Sequence, residues 1–553
     1  MKKTAWLLCV LLGCVLSVWS QENKRTIKIT KKYLNLPVQH SEDRQQMKFE
    51  IGGVNIRTFV IRLSTEEPDY WVFADMSAFQ GSSLTIRYPE KVKGMKQIYQ
   101  SDRFAGEDSV YKEVGRPQVH FSSRRGWNND PNGLVWYEGE YHLFYQHNPY
   151  EANWENMTWG HAVSTDLVFW KELTDVLHPD ELGTMFSGTA TIDAKNTTGF
   201  QEGDNPPIIA AYTAHKYLGE GDAIQTQCIA YSNDKGRTFT KYEGNPVVDS
   251  KAKWDSRNTR DPKIFWHEGT QKWVMVVFEK DGHSFYNSDN LKEWTYLSHL
   301  VGFWECPELF ELPIDGNKYN TKWVIYGASG TYMIGDFDGK SFKPTSGKHA
   351  YCAGSLYAAQ TYNNIPEEDG RRIQIGWARG MDHGGKMPFT QMFLFPTELT
   401  LRSTRNGVRM FSEPIGELKK LHTNSMQWSK LTTGEANEKL ADVKGELLHL
   451  KLTVETLDGT SFQLKYKGNV ILTHDMNYNK LNGVFYESDL AETKTVDLEV
   501  LIDRTSVEIF MDHGRFNFSA PLNEPKNQEG LSISGRAEIV IHHLEVHELQ
   551  SIW

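Results

Sequence analysis

The chain is poor in cysteine, with 5 in 553 residues, and two of these, Cys9 and Cys14, sit in a leader-like start. The other three, Cys228, Cys306 and Cys352, are odd in number and show no C-x-x-C spacing, which argues against a disulfide framework and a thiolate metal site. Positive charge is also short. Lys and Arg total 60 against 71 Asp and Glu, for a formal net charge of -11, which disfavours nucleic acid or an anionic membrane as partner and favours a neutral ligand. The sequence contains no His-Glu-x-x-His, no Gly-x-Ser-x-Gly and no dinucleotide fingerprint, and Gly335-Asp-Phe-Asp-Gly339-Lys-Ser is one residue short of a P-loop. A membrane span is not offered either: the apolar run from Ala5 to Trp19 behind Lys2-Lys3 is too short to cross a bilayer. It reads as a secretory signal over residues 1–20, cut after Ser20, so export to the periplasm or beyond is expected. Leu11-Leu12-Gly13-Cys14 weakly resembles a lipoprotein box, the alternative being a lipid anchor on Cys14.

What is abundant is aromatic and strand-forming. Seventeen Trp and a 12% aromatic share suit both β-rich cores and sugar-binding clefts. Leu448, Leu450, Leu452 and Val454 alternate with polar residues, as do Val496, Leu498, Val500 and Ile502, whereas no comparably long amphipathic helix appears. A repeat recurs in the middle of the chain, a Ser or Gly near an Asp with a bulky aromatic four or five residues later. Its copies are Ser164-Thr-Asp166 to Trp170, Ser232-Asn-Asp234 to Phe239, Ser288-Asp289 to Trp294, and Asp336-Phe-Asp338 to Phe342. Each closes a unit of blade-like length, and a fifth unit is expected over Gly354 to Arg402. The expected fold is all-β: a small N-terminal β-sandwich module over residues 24–115, a five-bladed β-propeller over 116–408 and a C-terminal β-sandwich over 409–553.

Three acids occupy similar places in successive units. Asp130 lies in Trp127-Asn-Asn-Asp-Pro-Asn-Gly133, Asp261 in Arg260-Asp-Pro-Lys263 and Glu305 in Trp304-Glu-Cys-Pro307, each read as just preceding the first, innermost strand of its blade. Innermost strands converge on a propeller axis, so the three carboxyls are expected in one funnel. Paired carboxyls are what cleavage of a glycosidic bond needs, one ionised and one protonated, and crowding of like charge helps keep one protonated. Taken alone, Asp-Pro-Asn-Gly is ordinary turn chemistry, Arg260-Asp261 an ion pair and Glu305 a rim residue with Glu308 as the functional acid; their joint placement is what favours a site. Cys306 is expected to be a small buried residue whose side chain points away from Glu305, as it would if both lay on a strand.

These segments carry a resemblance. With Arg116-Pro-Gln-Val-His-Phe121, His142-Leu-Phe-Tyr-Gln146, Trp159-Gly-His-Ala-Val-Ser164, Phe186-Ser-Gly188 and, near the end, Asp503-Arg-Thr-Ser-Val-Glu-Ile-Phe510, the chain resembles glycoside hydrolase family 32, the invertase, inulinase and levanase family, over residues 116 to 553. Residues 24 to 115 resemble the N-terminal domain of related enzymes from gut Bacteroidetes. The resemblance implies a retaining double displacement on β-fructofuranosides, with Asp130 as nucleophile, Glu305 as acid and then base, and Asp261 stabilising the transition state. It implies Asn129, Gln146, Trp154, Phe186, Ser187, Arg260 and Trp377 around the terminal fructose, and no metal or organic cofactor. Two departures stand out: Tyr351-Cys-Ala-Gly-Ser-Leu-Tyr357-Ala-Ala-Gln360 lacks the acid often found there, and Thr397 stands where Arg is common. The expected substrate is a fructan such as levan or inulin, or sucrose, attacked from chain ends. Endo attack, an arabinan- or xylan-cleaving propeller and a non-catalytic glycan binder are the alternatives.

Overall fold

The computed structural model describes residues 22–90, 92–219, 221–382, 387–456, 461–487, 495–536 and 539–553; the leader expected at 1–20, with Cys9 and Cys14, lies outside them. The chain is all-β. Five strand units follow one another around the propeller, beginning with the strands Gly126–Tyr137, Thr184–Ile192, Thr259–His267, Glu308–Ile314 and Leu356–Thr361, the fourth and fifth joined into one eight-stranded sheet where Ile314 pairs with Leu401. Apolar cores fill the space between successive sheets: Phe144 and Trp159 with Ala190 and Tyr212, Ile209 and Ile229 with Trp273 and Met275, Val276 and Phe285 with Leu309 and Ile325, and Phe310 and Tyr326 with Ala359 and Leu399. The fifth core brings Tyr362 and Ile373 of the last sheet against Leu134 and Leu143 of the first, so the ring returns on itself. Two backbone seams fasten that return: Phe389 and Thr390 pair with Gly126 and Trp127, and Asn363 exchanges hydrogen bonds with Leu134 and Trp136.

The repeated motif is an Asx turn between the third and fourth strands of a blade. Asp166 accepts from the backbone N–H of Val168 and Phe169, Asp234 from that of Thr238, and Asp338 from those of Lys340 and Ser341. In the third blade the turn is made by Asn290, which accepts from Lys292 and Glu293, and not by Asp289, whose carboxylate pairs with Lys272. The motif therefore selects a short side-chain acceptor and not a charge. The fifth unit continues through Gly407–Pro414, paired along its length with Thr397–Thr404, so the division expected at 408/409 falls inside a strand.

Two sheets flank the propeller at its C-terminal side. Leu448, Leu450, Leu452 and Val454 lie opposite Ile502, Val500, Leu498 and Val496, and all eight are buried in one core. Each such side chain contributes about 1.5–3 kcal/mol of burial. The motif Asp503 to Phe510 is the junction of this unit with the propeller. Asp503 accepts from the N–H groups of Gln118 and Val119, and the buried His120 ring bridges Asp503 (2.8 Å) and Glu508 (2.6 Å). At the other end, Glu22–Lys28, Ser83–Pro89, Gln45–Ile51 and Val54–Ile61 form one sheet and Tyr33–Val38, Tyr70–Asp75 and Tyr99–Ser101 another, closed over Leu36, Phe49, Ile61 and Val72.

Candidate active site

Asp130 and Asp261 lie in the innermost strands, not before them, whereas Glu305 precedes its strand as expected. Asp130 sits within Gly126–Tyr137 and Asp261 within Thr259–His267, each at a break in pairing register, between Asn128 and Pro131 and between Arg260 and Lys263. Such a bulge frees a residue from the ladder and re-aims its side chain, and it accommodates Pro131 and Pro262, which have no N–H to give. The first strands of the second and fifth blades break register in the same way, between Met185 and Gly188 and between Tyr357 and Gln360. The funnel is thus built from four bulges. Asp-Pro-Asn-Gly is consequently no turn. Gly133, at φ +55°, lies where a Cβ would stand 2.7 Å from the Phe144 ring, so glycine is what lets the strand pack there.

Glu305 and Cys306 both have left-handed backbone, φ 48° and 40°, ahead of the strand that starts at Glu308. Their side chains therefore do not alternate as on a strand, and Cys306 points into the funnel, contrary to expectation. Its Sγ lies 3.7 Å from Asp130 Oδ2 and 3.6 Å from Asp261 Oδ2, and its N–H donates to Asp261 at 3.1 Å. Burial, and the charges of Asp261, Asp130 and Glu305, push the thiol pKa well up, so it is a neutral bridge and not a thiolate nucleophile.

Two chains of contacts run from Asp130 to Glu305 and form the walls. On one side, Asn129 donates to Asp130 Oδ1 (3.0 Å) and accepts from the Trp127 indole (2.9 Å); Trp127 meets Trp377 edge to face, Trp377 meets Tyr357, and Tyr357 donates to Glu305 Oε2 at 2.7 Å. On the other, Ser187 donates to Asp130 Oδ2 at 2.6 Å, and its neighbour Phe186 packs between Trp154 and His215. His215 bonds Gln225, and Arg260 reaches both Gln225 and Glu305 Oε1, the latter at 2.6 Å. Gln146 is buried behind this wall, its amide donating to the Met185 carbonyl. All ten expected residues therefore belong to one constellation. Tyr357, Trp127 and His215 join it without having been singled out as site residues, and Cys306 joins it against expectation. Tyr357 stands in the Tyr-Ala-Ala-Gln element that lacks the expected acid, whereas Thr397 lies away from the funnel, accepting from Ser412.

Burial dominates the electrostatics. It lifts the Asp261 pKa to about 7 despite the opposing Arg260 guanidinium, with the charges of Glu305 and Asp130 adding to the rise. Asp130 is also raised by burial, while Ser187 and Asn129 pull it down by donating to its two oxygens. Below the funnel the axis is plugged by a buried pair, Lys263 with Glu308 at 3.0 Å, to which Thr361 adds a hydrogen bond from its hydroxyl. Glu308 is thus committed to the scaffold. Beyond the plug, Phe265, Trp266, Phe310 and Asn364 border a separate cavity of about 390 Å³. Among the described residues, the side chains close enough to share a metal ion are His422, His449 and His547 in the C-terminal sheet, outside the funnel; both nitrogens of His449 and of His547 already have protein partners.

The glycosyl hydrolases family 32 N-terminal domain model matches residues 120–414, and the family's C-terminal domain model matches 417–548. A levanase of Bacillus subtilis is 37% identical over 501 residues, covering 81% of this chain and 72% of its own. An extracellular exo-inulinase of Aspergillus niger is 31% identical over 524 residues, covering 80% of this chain and 96% of its own. The crystal structure of an exo-inulinase from Aspergillus awamori superposes with a TM-score of 0.69 at 27% identity, over 80% of this chain and 100% of its own.

Proposed function

The chain belongs to glycosyl hydrolases family 32, and from that membership we propose that it is a retaining β-fructofuranosidase, releasing terminal β-D-fructofuranosyl residues from levan or inulin and from sucrose. The observation that carries the reading is the meeting of three acids from three blades: Asp130 and Asp261 on the Cys306 thiol, and Glu305 beside them in the grip of Arg260 and Tyr357.

Asp130 is the nucleophile. Its two oxygens accept from Asn129 and Ser187, which fixes the carboxylate's orientation and favours its ionised form in a site where burial opposes charge. Glu305 gives a proton to the leaving oxygen as Asp130 bonds the anomeric carbon, then takes one from water as that bond is hydrolysed. Arg260 and Tyr357, one on each Glu305 oxygen, hold it in place for both steps. Asp261 accepts fructose hydroxyls and stabilises the positive charge that develops on the sugar. Asn129, Gln146, Trp154, Phe186, Ser187, Arg260 and Trp377 shape the pocket.

The mode is exo. Two walls that both begin at Asp130 and end at Glu305 support this reading, since a pocket at one mouth of a propeller channel most simply accepts a terminal sugar. During the first few per cent of levan or inulin conversion, chromatography is expected to show fructose beside a shrinking polymer; an early ladder of oligosaccharides would mean endo attack. We further propose that the propeller runs through Pro414, and that the protein is exported, as the basic head and apolar run of residues 1–20 support. No helix among the described residues is long and apolar enough to cross a membrane.

A further inference from the structure

The N-terminal module meets the propeller on a short stretch, residues 150–156, and that stretch carries Trp154. Val60 N–H donates to Asn156 Oδ1 at 2.8 Å and Asn156 Nδ2 returns a bond to the Val60 carbonyl at 2.9 Å, so one side-chain amide extends the edge of Val54–Ile61. Arg62 gives its backbone N–H (2.6 Å) and its guanidinium (2.5 Å) to Glu151, which is 1% exposed. Tyr70 Oη accepts from Ala152 N–H at 3.0 Å, Phe59 stacks on Tyr150 at 3.8 Å, and Arg44 reaches Glu155 at 3.2 Å. A second contact, the Arg125 guanidinium over the Phe73 ring at 3.6 Å, holds the module to the residues leading into the Asp130 strand.

Within this clamped stretch Trp154 is 49% exposed, and its ring meets Phe186 edge-on. An exposed indole on an irregular segment samples several rotamers and backbone states unless its neighbours are fixed, and ordering it when substrate arrives subtracts from binding. Here residues on both sides of Trp154 are fixed beforehand, by groups belonging to the module.

We propose that the N-terminal module is a positioning element of the sugar pocket: by clamping residues 150–156 through Phe59, Arg62 and Tyr70, it presets Trp154 against Phe186, and so sets substrate affinity without touching substrate. The inference rests on the reading of Trp154 as a pocket residue. Since the module supplies no group to the reacting atoms, its loss acts on the binding of ground state and transition state alike, which raises KM and leaves kcat in place.

The test is a double-mutant cycle on the full chain with sucrose and levan. Phe59→Leu thins the stack on Tyr150, and Tyr70→Phe removes only the acceptor for Ala152 N–H, so the milder change remains informative if the other impairs folding. Each is expected to raise KM about three- to tenfold with kcat within about twofold, and to add nothing further in a Trp154→Ala background. Equal effects of Phe59→Leu or Tyr70→Phe with and without Trp154, or an unchanged KM at an unchanged melting temperature, would overturn the clamp alone. A Trp154→Ala enzyme with normal KM would instead remove Trp154 from the pocket.

Discussion

Tyr357 donates its hydroxyl to Glu305 Oε2 at 2.7 Å, opposite the Arg260 contact on Oε1. A hydrogen bond to a carboxylate is worth about 1.5–3 kcal/mol, and a loss of that size in the transition state is about ten- to a hundredfold in rate. Tyr357→Phe is therefore expected to lower kcat by that factor, with a melting temperature near that of the parent. Unchanged steady-state turnover would reduce Tyr357 to packing against Trp377.

Asp261→Asn separates activity from stability. The Asp261 pKa, about 7 in the folded protein against 3.8 for a free side chain, means that the folded state holds this proton more tightly than the unfolded chain. Its ionisation therefore costs stability progressively as pH rises from about 4 towards 7. Asparagine escapes that cost and can still accept from Cys306 N–H. Turnover is expected to fall about a hundredfold or more, from lost stabilisation of charge on the sugar, while melting at pH 7 occurs no lower than in the parent. A lowered melting temperature with near-normal kcat would make Asp261 a scaffold residue.

His120 gives the junction between propeller and C-terminal sheets a pH signature. Burial alone would lower its pKa, but hydrogen bonds to Asp503 and Glu508, with their charges, outweigh this and hold it at about 9 against an ordinary 6.5. A raised histidine pKa contributes stability that is fully present below about 6.5 and is lost as pH rises through about 9. The melting temperature is expected to fall between pH 6.5 and 9.5, and to fall less in His120→Asn. Parallel curves for the two proteins would show that His120 stays neutral.

The sequence motifs and the structure agree where local chemistry is enough. The alternation of Leu448 to Val454 fixes an inward face, and the Asp-Pro pairs mark bulges because proline lacks the N–H that a regular ladder would use. What was not legible depends on backbone sign or on distance along the chain. The orientation of Cys306 follows from two successive left-handed residues that its composition does not announce. Arg116 to Phe121 and Asp503 to Phe510 were each readable as motifs, yet the bond between His120 and Asp503 joins residues 383 positions apart. Likewise, nothing in the neighbourhood of Trp154 shows that Val60 and Arg62 hold its flanks.

The central claim is the division of labour between Asp130 and Glu305, and trapping the intermediate tests it most directly. A nucleophile is needed for every substrate, whereas a proton donor is dispensable when the leaving group departs unaided. Glu305→Gln should fail on sucrose and fructan, accept the fructosyl group from fructosyl fluoride, and then stall without a base to activate water. Mass spectrometry of that variant after exposure to fructosyl fluoride is predicted to show one added fructosyl unit, mapping to the peptide that contains Asp130. A label on Asp261, or full turnover by Asp130→Asn, would contradict the account.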